Sequence, residues 1–227
     1  MEKIDAHTQR NLIPLLKIAA VYVLLVIGIT LMPEKISQEM VRENGPVEVL
    51  SAAGYFLFCL FLFYFNYIGA VRTSFAPGFF IFLLGLRELD FHARFTTMGM
   101  FKSRFFVSPE VPVVEKFLVI LFIISLLAYG IIYLRRSLPG FKKDVFRARP
   151  YAVSVACAIG CTLLSKVLDG NSIIFKSLLP MLENPATFAR TVEECLELFI
   201  PILFIHALLS CSRESMQCQR ESQTLDH

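Results

Sequence analysis

Long uncharged runs alternate with short charged segments along the chain, and the runs come six times. They cover residues 18–32, 49–71, 73–86, 117–134, 150–165 and 198–212, with lengths of 15, 23, 14, 18, 16 and 15 residues. A helix needs about 20 mainly apolar residues to cross roughly 30 Å of hydrocarbon. Only the second and fourth runs approach that length alone, so the other four must borrow polar residues at one end. The pattern predicts an all-α, polytopic membrane protein, a bundle of about six transmembrane helices. The expected spans are about 12–32, 48–71, 74–93, 116–135, 150–169 and 193–212, with a short polar tail over 213–227. Pro33, Asn44-Gly45-Pro46 and Pro77-Gly78 punctuate the boundaries. With no internal repeat and no low-complexity stretch, the chain is read as one domain.

Composition narrows this further. Of 227 residues, 56% are hydrophobic and 18% charged, and the mean hydropathy is +0.62. A soluble domain carries about 25% charge and 45–50% apolar residues, so a soluble fold is excluded. The six cysteines form no CxxC pair, which leaves neither a disulfide framework nor a zinc ribbon. A net charge of +3 with no basic–aromatic module gives no reason to expect nucleic acid. Trp is absent, so the interfacial belt falls to Tyr and Phe.

Charge sets the orientation. Segment 135–149 holds six of the Lys and Arg residues and is assigned to the cytoplasm by the positive-inside rule. Both termini then lie inside, with eleven Lys and Arg in the inner loops against eight in the outer ones. The expected location is the bacterial inner membrane. Phe141, Val145 and Phe146 interleave with the basic residues of 141–149, a pattern that suits contact with anionic lipid but is read in preference as an ordinary interfacial helix. Residues 171–185 are too apolar for a free loop and read as a short amphipathic lid on the outer surface.

In this topology four helices are completed by ionisable residues at the same outer face. The second begins with Glu48 and Ser51, and the third ends in Arg87-Glu88-Leu89-Asp90-Phe91-His92. The fifth ends in Lys166-Val167-Leu168-Asp169, and the sixth begins with Glu193-Glu194-Cys195-Leu196-Glu197. Ionisable groups near lipid cost about 2.5–3.5 kcal/mol at mid-helix, so they face a bundle interior or water. A polar cavity open to the outside follows. If the third helix continues, Arg87, Asp90 and Arg94 form one stripe and Glu88 with His92 a neighbouring one. Glu48, Ser51 and Tyr55 share a face of the second helix, and Ser154, Cys161, Ser165 and Asp169 line the fifth. Thr191 is the expected cap of the sixth, and His206 is read as a packing residue.

Three chemistries suit this set. Glu88, His92, Asp169 and Glu194 are candidate ligands for a divalent metal such as zinc. Glu48, Ser51, Asp90 and Glu197 are candidate catalytic groups, with carboxylates as general acids or bases. Arg87 and Arg94 are candidate binding groups for a phosphate or carboxylate headgroup. The ordinary alternative is a set of headgroup-level side chains and a structural ion-pair ladder.

The motifs Glu43-Asn44-Gly45-Pro46-x-Glu48, Arg87-Glu88-Leu89-Asp90-Phe91-His92 and Glu193-Glu194-x-x-Glu197 resemble a family of small bacterial inner-membrane proteins of unassigned function. A fainter similarity, through Glu48-x-x-Ser51, Asp90 and His206, is to the membrane hydrolase superfamily that includes alkaline ceramidases. That resemblance implies a zinc ion surrounded by Ser, Asp and His on several helices. The superfamily uses three histidines including an HxxxH pair, whereas the remaining histidines here are His7 and His227, in the tails. Glu193-Glu194 also echoes the CAAX-protease pattern, without its arginine and later histidines. The expectation is metal-assisted hydrolysis of a lipid or lipid-linked envelope substrate, with membrane lipids as partners. The alternatives are a proton- or cation-binding transporter or sensor, and a structural envelope component.

Overall fold

The computed structural model describes residues 6–42, 45–71, 73–91, 96–97, 99–100, 103–168 and 185–225. These form eight helices: α1 (Ala6–Thr30), α2 (Glu34–Met40), α3 (Pro46–Tyr67), α4 (Ala76–Glu88), α5 (Ser103–Val107), α6 (Val113–Phe146), α7 (Pro150–Leu168) and α8 (Pro185–Leu225). Among the described residues there is no strand. Five helices, α1, α3, α6, α7 and α8, are long and apolar enough to cross a membrane. The chain is an all-α polytopic membrane protein.

α4 is the exception among the expected spans. It has 13 residues, a rise of about 20 Å at 1.5 Å per residue. It stops at Glu88 because Leu89 and Asp90 form a turn, closed by Asp90 N–H donating to the Arg87 carbonyl at 2.9 Å. Asp90 sits in the left-handed region at φ +47°, a conformation that Asp tolerates better than most residues.

Two helices run past their expected ends. α6 spans 34 residues, through Pro139 and most of the basic segment expected to be a loop. α8 spans 41 residues and absorbs most of the expected tail. It also starts earlier than its first carboxylates, so Thr191 is an interior residue donating to the Thr187 carbonyl at 2.9 Å and not a cap.

α8 is the axis of the bundle. It packs along α7 and α3 and touches α1, while α4 packs on α3. Tyr55, Phe58, Leu62, Ile81, Leu203 and Leu208 form the largest buried cluster, where α3, α4 and α8 meet. A second cluster joins Val26 and Ile29 of α1 to Val47, Cys195 and Leu198. α6 lies at the periphery and packs lightly on α7.

Two glycines make the close approaches possible. A Cβ at Gly54 would sit 3.0 Å from both Cβ and Cγ of Pro201. A Cβ at Gly85 would sit 3.0 Å from the Cβ of Tyr55. Close helix contact through small residues is the usual device for association in lipid.

Candidate functional site

Pro201 lies inside α8. It has no N–H, so the carbonyl four residues earlier, that of Glu197, has no helical donor. The Ser51 hydroxyl of α3 supplies one, donating to the Glu197 carbonyl at 3.1 Å. Gly54, one turn further along α3, makes room for the Pro201 ring. The backbone of Glu197 is thereby fixed by a neighbouring helix.

Its side chain is held by two more. Ser165 of α7 donates to Glu197 Oε1 at 2.8 Å. Lys166 Nζ lies 3.5 Å from the same oxygen, and Arg87 Nη2 of α4 also stands at 3.5 Å. Arg87 Nη2 in turn donates to Glu88 Oε1 at 2.8 Å. The Glu88 side chain is 4% exposed and that of Glu197 13%, whereas Arg87 and Lys166 are 37% and 47% exposed. The carboxylates are thus sunk in the bundle while the cations reach its surface.

Three further groups complete the cluster. Tyr55 is buried one turn from Ser51 and lies within electrostatic reach of Arg87, Glu88 and Glu197. Glu48, in the first turn of α3, interacts with both Glu88 and Glu194. Glu194 Oε1 is 3.8 Å from Arg190 Nε, four residues earlier in the same helix. Glu48 and Glu194 are half-buried.

The structure therefore brings together Glu48, Ser51, Arg87, Glu88, Glu194 and Glu197. It does not bring in Asp90, which is exposed on the turn after α4; the expected helical stripe of Arg87, Asp90 and Arg94 is broken at that turn. His92, Arg94 and Asp169 lie outside the described residues, as do residues 171–184 of the lid expected over 171–185. Ser51 is buried and its hydroxyl is engaged by a backbone carbonyl, that of Glu197. Ser165 and Lys166 were not among the candidate site residues. Their signal was present, since Ser165 falls on the small polar line of α7 and Lys166 follows it directly.

No family model, curated protein or solved structure matches the chain.

Two members of the expected metal set, Glu88 and Glu194, are among the described residues. Glu88 faces Arg87 and Glu194 faces Arg190, so each carboxylate already has a cation against it. Among the described residues no group of three or more His, Cys, Asp or Glu side chains is arranged to hold an ion. Ser51 donates to the Glu197 carbonyl, Asp90 is on the exposed turn, and His206 pairs with Ser154 at 2.8 Å.

That last pair forms a separate polar contact, toward the opposite end of α7. Near it, Asp144 Oδ1 stands 3.4 Å from Arg149 Nε, and the Tyr151 hydroxyl donates to Asp144. This end carries the basic segment, so the two ends of the bundle differ in charge.

Proposed function

We propose that this is a bacterial inner-membrane protein whose Glu197 cluster faces outward and processes a lipid or lipid-linked envelope substrate by carboxylate acid–base chemistry. The observation that carries the reading is the convergence of α3, α4 and α7 on Glu197 of α8, which sets Glu88 and Glu197 against Arg87 and Lys166 at the end of the bundle where Glu48 and Glu194 also lie. The orientation draws support from the basic segment 135–149, which belongs to the other end and favours the cytoplasm. With α4 counted as a short sixth crossing that returns antiparallel along α3, both termini are then cytoplasmic. A reporter fused at residue 147 that proves to face outward would overturn that orientation.

The roles divide by burial. Glu88 and Glu197 hold Arg87 and Lys166 in place, and those cations receive an anionic head. Glu48 and Glu194, half-buried and within electrostatic reach of each other, are the acid and base: one takes a proton from the attacking water, and the other returns a proton to the leaving oxygen. Detergent-purified protein incubated with an envelope lipid extract should yield a hydrolysis product by mass spectrometry. Glu48→Gln and Glu194→Gln should each reduce that product about 100-fold or more without lowering the unfolding temperature. Unaltered lipid with the native protein, or undiminished turnover in both variants, would overturn the reading.

A second reading is favoured by one detail. Ser165, Lys166 and Arg87 all address the same oxygen of Glu197, so a proton or cation arriving there releases several side chains at once. This is the arrangement of a proton- or cation-coupled carrier. A flux in sealed vesicles that disappears in Glu197→Gln, with no lipid turnover, would replace the first reading by this one.

A further inference from the structure

α4 and α6 touch through aromatic rings. Phe80 stacks on Tyr129 with centroids 5.5 Å apart and planes 21° from parallel, and it also meets Tyr133. Gly130 lies beside the same ring, and a Cβ there would be in ordinary contact with Phe80 Cζ, at 3.5 Å. Between that contact and the Glu197 end lies a cavity of about 540 Å³, within the range of about 300–1,000 Å³ usual for ligand sites. Its walls include Leu84, Leu118, Phe122 and Leu126. Phe105 of α5 is fully buried against Val111, Val119 and Met100, and the last two also line the cavity.

Arg87 is the one charged residue among the described lining residues. It is the same arginine that reaches Glu88 and Glu197, and both contacts run through Nη2. Arg87 lines the cavity whereas neither Glu88 nor Glu197 is among its described lining residues, so the charge shown to the cavity is positive. A hydrocarbon chain alone gains nothing by leaving the bilayer for such a cavity, because lipid tails are equally apolar. An anionic group on that chain does gain, by meeting a guanidinium where water is scarce.

We propose that the cavity between α4 and α6 binds the hydrocarbon chain of an anionic lipid, with its phosphate or carboxylate head against Arg87. This rests on the lipid-substrate reading above and names its substrate class. The native chain has no Trp, so Phe122→Trp places a single, selectively excitable tryptophan in the cavity wall.

In maltoside micelles the Phe122→Trp protein is titrated with phosphatidic acid carrying brominated chains and with the matching phosphatidylcholine. The phosphatidic acid should quench saturably at a concentration at least about ten-fold lower, the equivalent of about 1.4 kcal/mol. Adding Arg87→Gln should erase the difference. If that variant does not fold, Leu126→Phe, remote from the ion pairs, should instead weaken phosphatidic acid binding several-fold by filling the cavity. Equal quenching by both lipids, a preference that survives Arg87→Gln, or no effect of Leu126→Phe would overturn the proposal. Selective quenching without lipid turnover supports the cavity and overturns only the lipid-processing reading. Turnover without headgroup preference does the reverse.

Discussion

Arg87 and Lys166 both reach Glu197, yet their environments make very different demands on the fold. Arg87 neutralises Glu88, whose side chain is almost fully enclosed; removing one partner of a buried pair costs about 3–5 kcal/mol because the other charge is stranded. Lys166 is nearly half exposed, and exposed pairs contribute about 0–1 kcal/mol. Denaturant unfolding in detergent should therefore show Arg87→Ala destabilised by several kcal/mol and Lys166→Ala by less than about 1 kcal/mol. Equal losses would mean that Glu88 is not enclosed. At the other end of α7, hydrogen-bond directions fix a tautomer. The Ser154 hydroxyl has one proton and gives it to the Pro150 carbonyl at 2.7 Å, so its contact with His206 Nδ1 at 2.8 Å must be donated by the imidazole. Nitrogen NMR should find His206 protonated at Nδ1, and a neutral ring protonated at Nε2 instead would contradict the arrangement.

Pro201, Ser51 and Gly54 act together where α3 crosses α8, and their interdependence is measurable. In the native protein Ser51→Ala leaves the buried Glu197 carbonyl unsatisfied, at a cost of about 1–3 kcal/mol. With Pro201→Ala, an N–H returns to that carbonyl, and the same Ser51→Ala change should cost a few tenths of a kcal/mol, about the error of additive sites. A double-mutant cycle with no coupling would show that Ser51 does not serve the proline gap. Gly54→Ala should cost about 1–3 kcal/mol by overpacking, because the rigid Pro201 ring has no rotamer with which to yield. The lengths of elements were less legible than their existence. α4 ends early because one residue, Asp90, turns left-handed, which hydropathy does not register. α6 and α8 run on because Lys, Arg, Glu and Gln are good helix formers, although their charge had marked those stretches as loop and tail.

Across the whole molecule, the helical class and the gathering of polar residues at one end could be read from the sequence, because short apolar runs must be completed by someone. Which residues meet could not. Ser165 and Lys166 enter through the packing of α7 on α8, and Ser51 through a carbonyl that only a proline in another helix leaves open. Packing is also uneven: α8 is covered by α7, α3 and α1, whereas α6 rests lightly on α7 and a ring stack. Hydrogen exchange in detergent should accordingly be slowest in the middle of α8 and measurably faster in α6, since local opening follows contact density. The peripheral place of α6 bears on how any occupant of the α4–α6 cavity arrives. Leu118 and Phe122 in its wall are exposed to the surroundings of the bundle, which are acyl chains and not water. Such an occupant is sampled from the plane of the leaflet, so its occupancy is governed by mole fraction among lipids: dilution with inert lipid empties the cavity, and dilution with buffer does not.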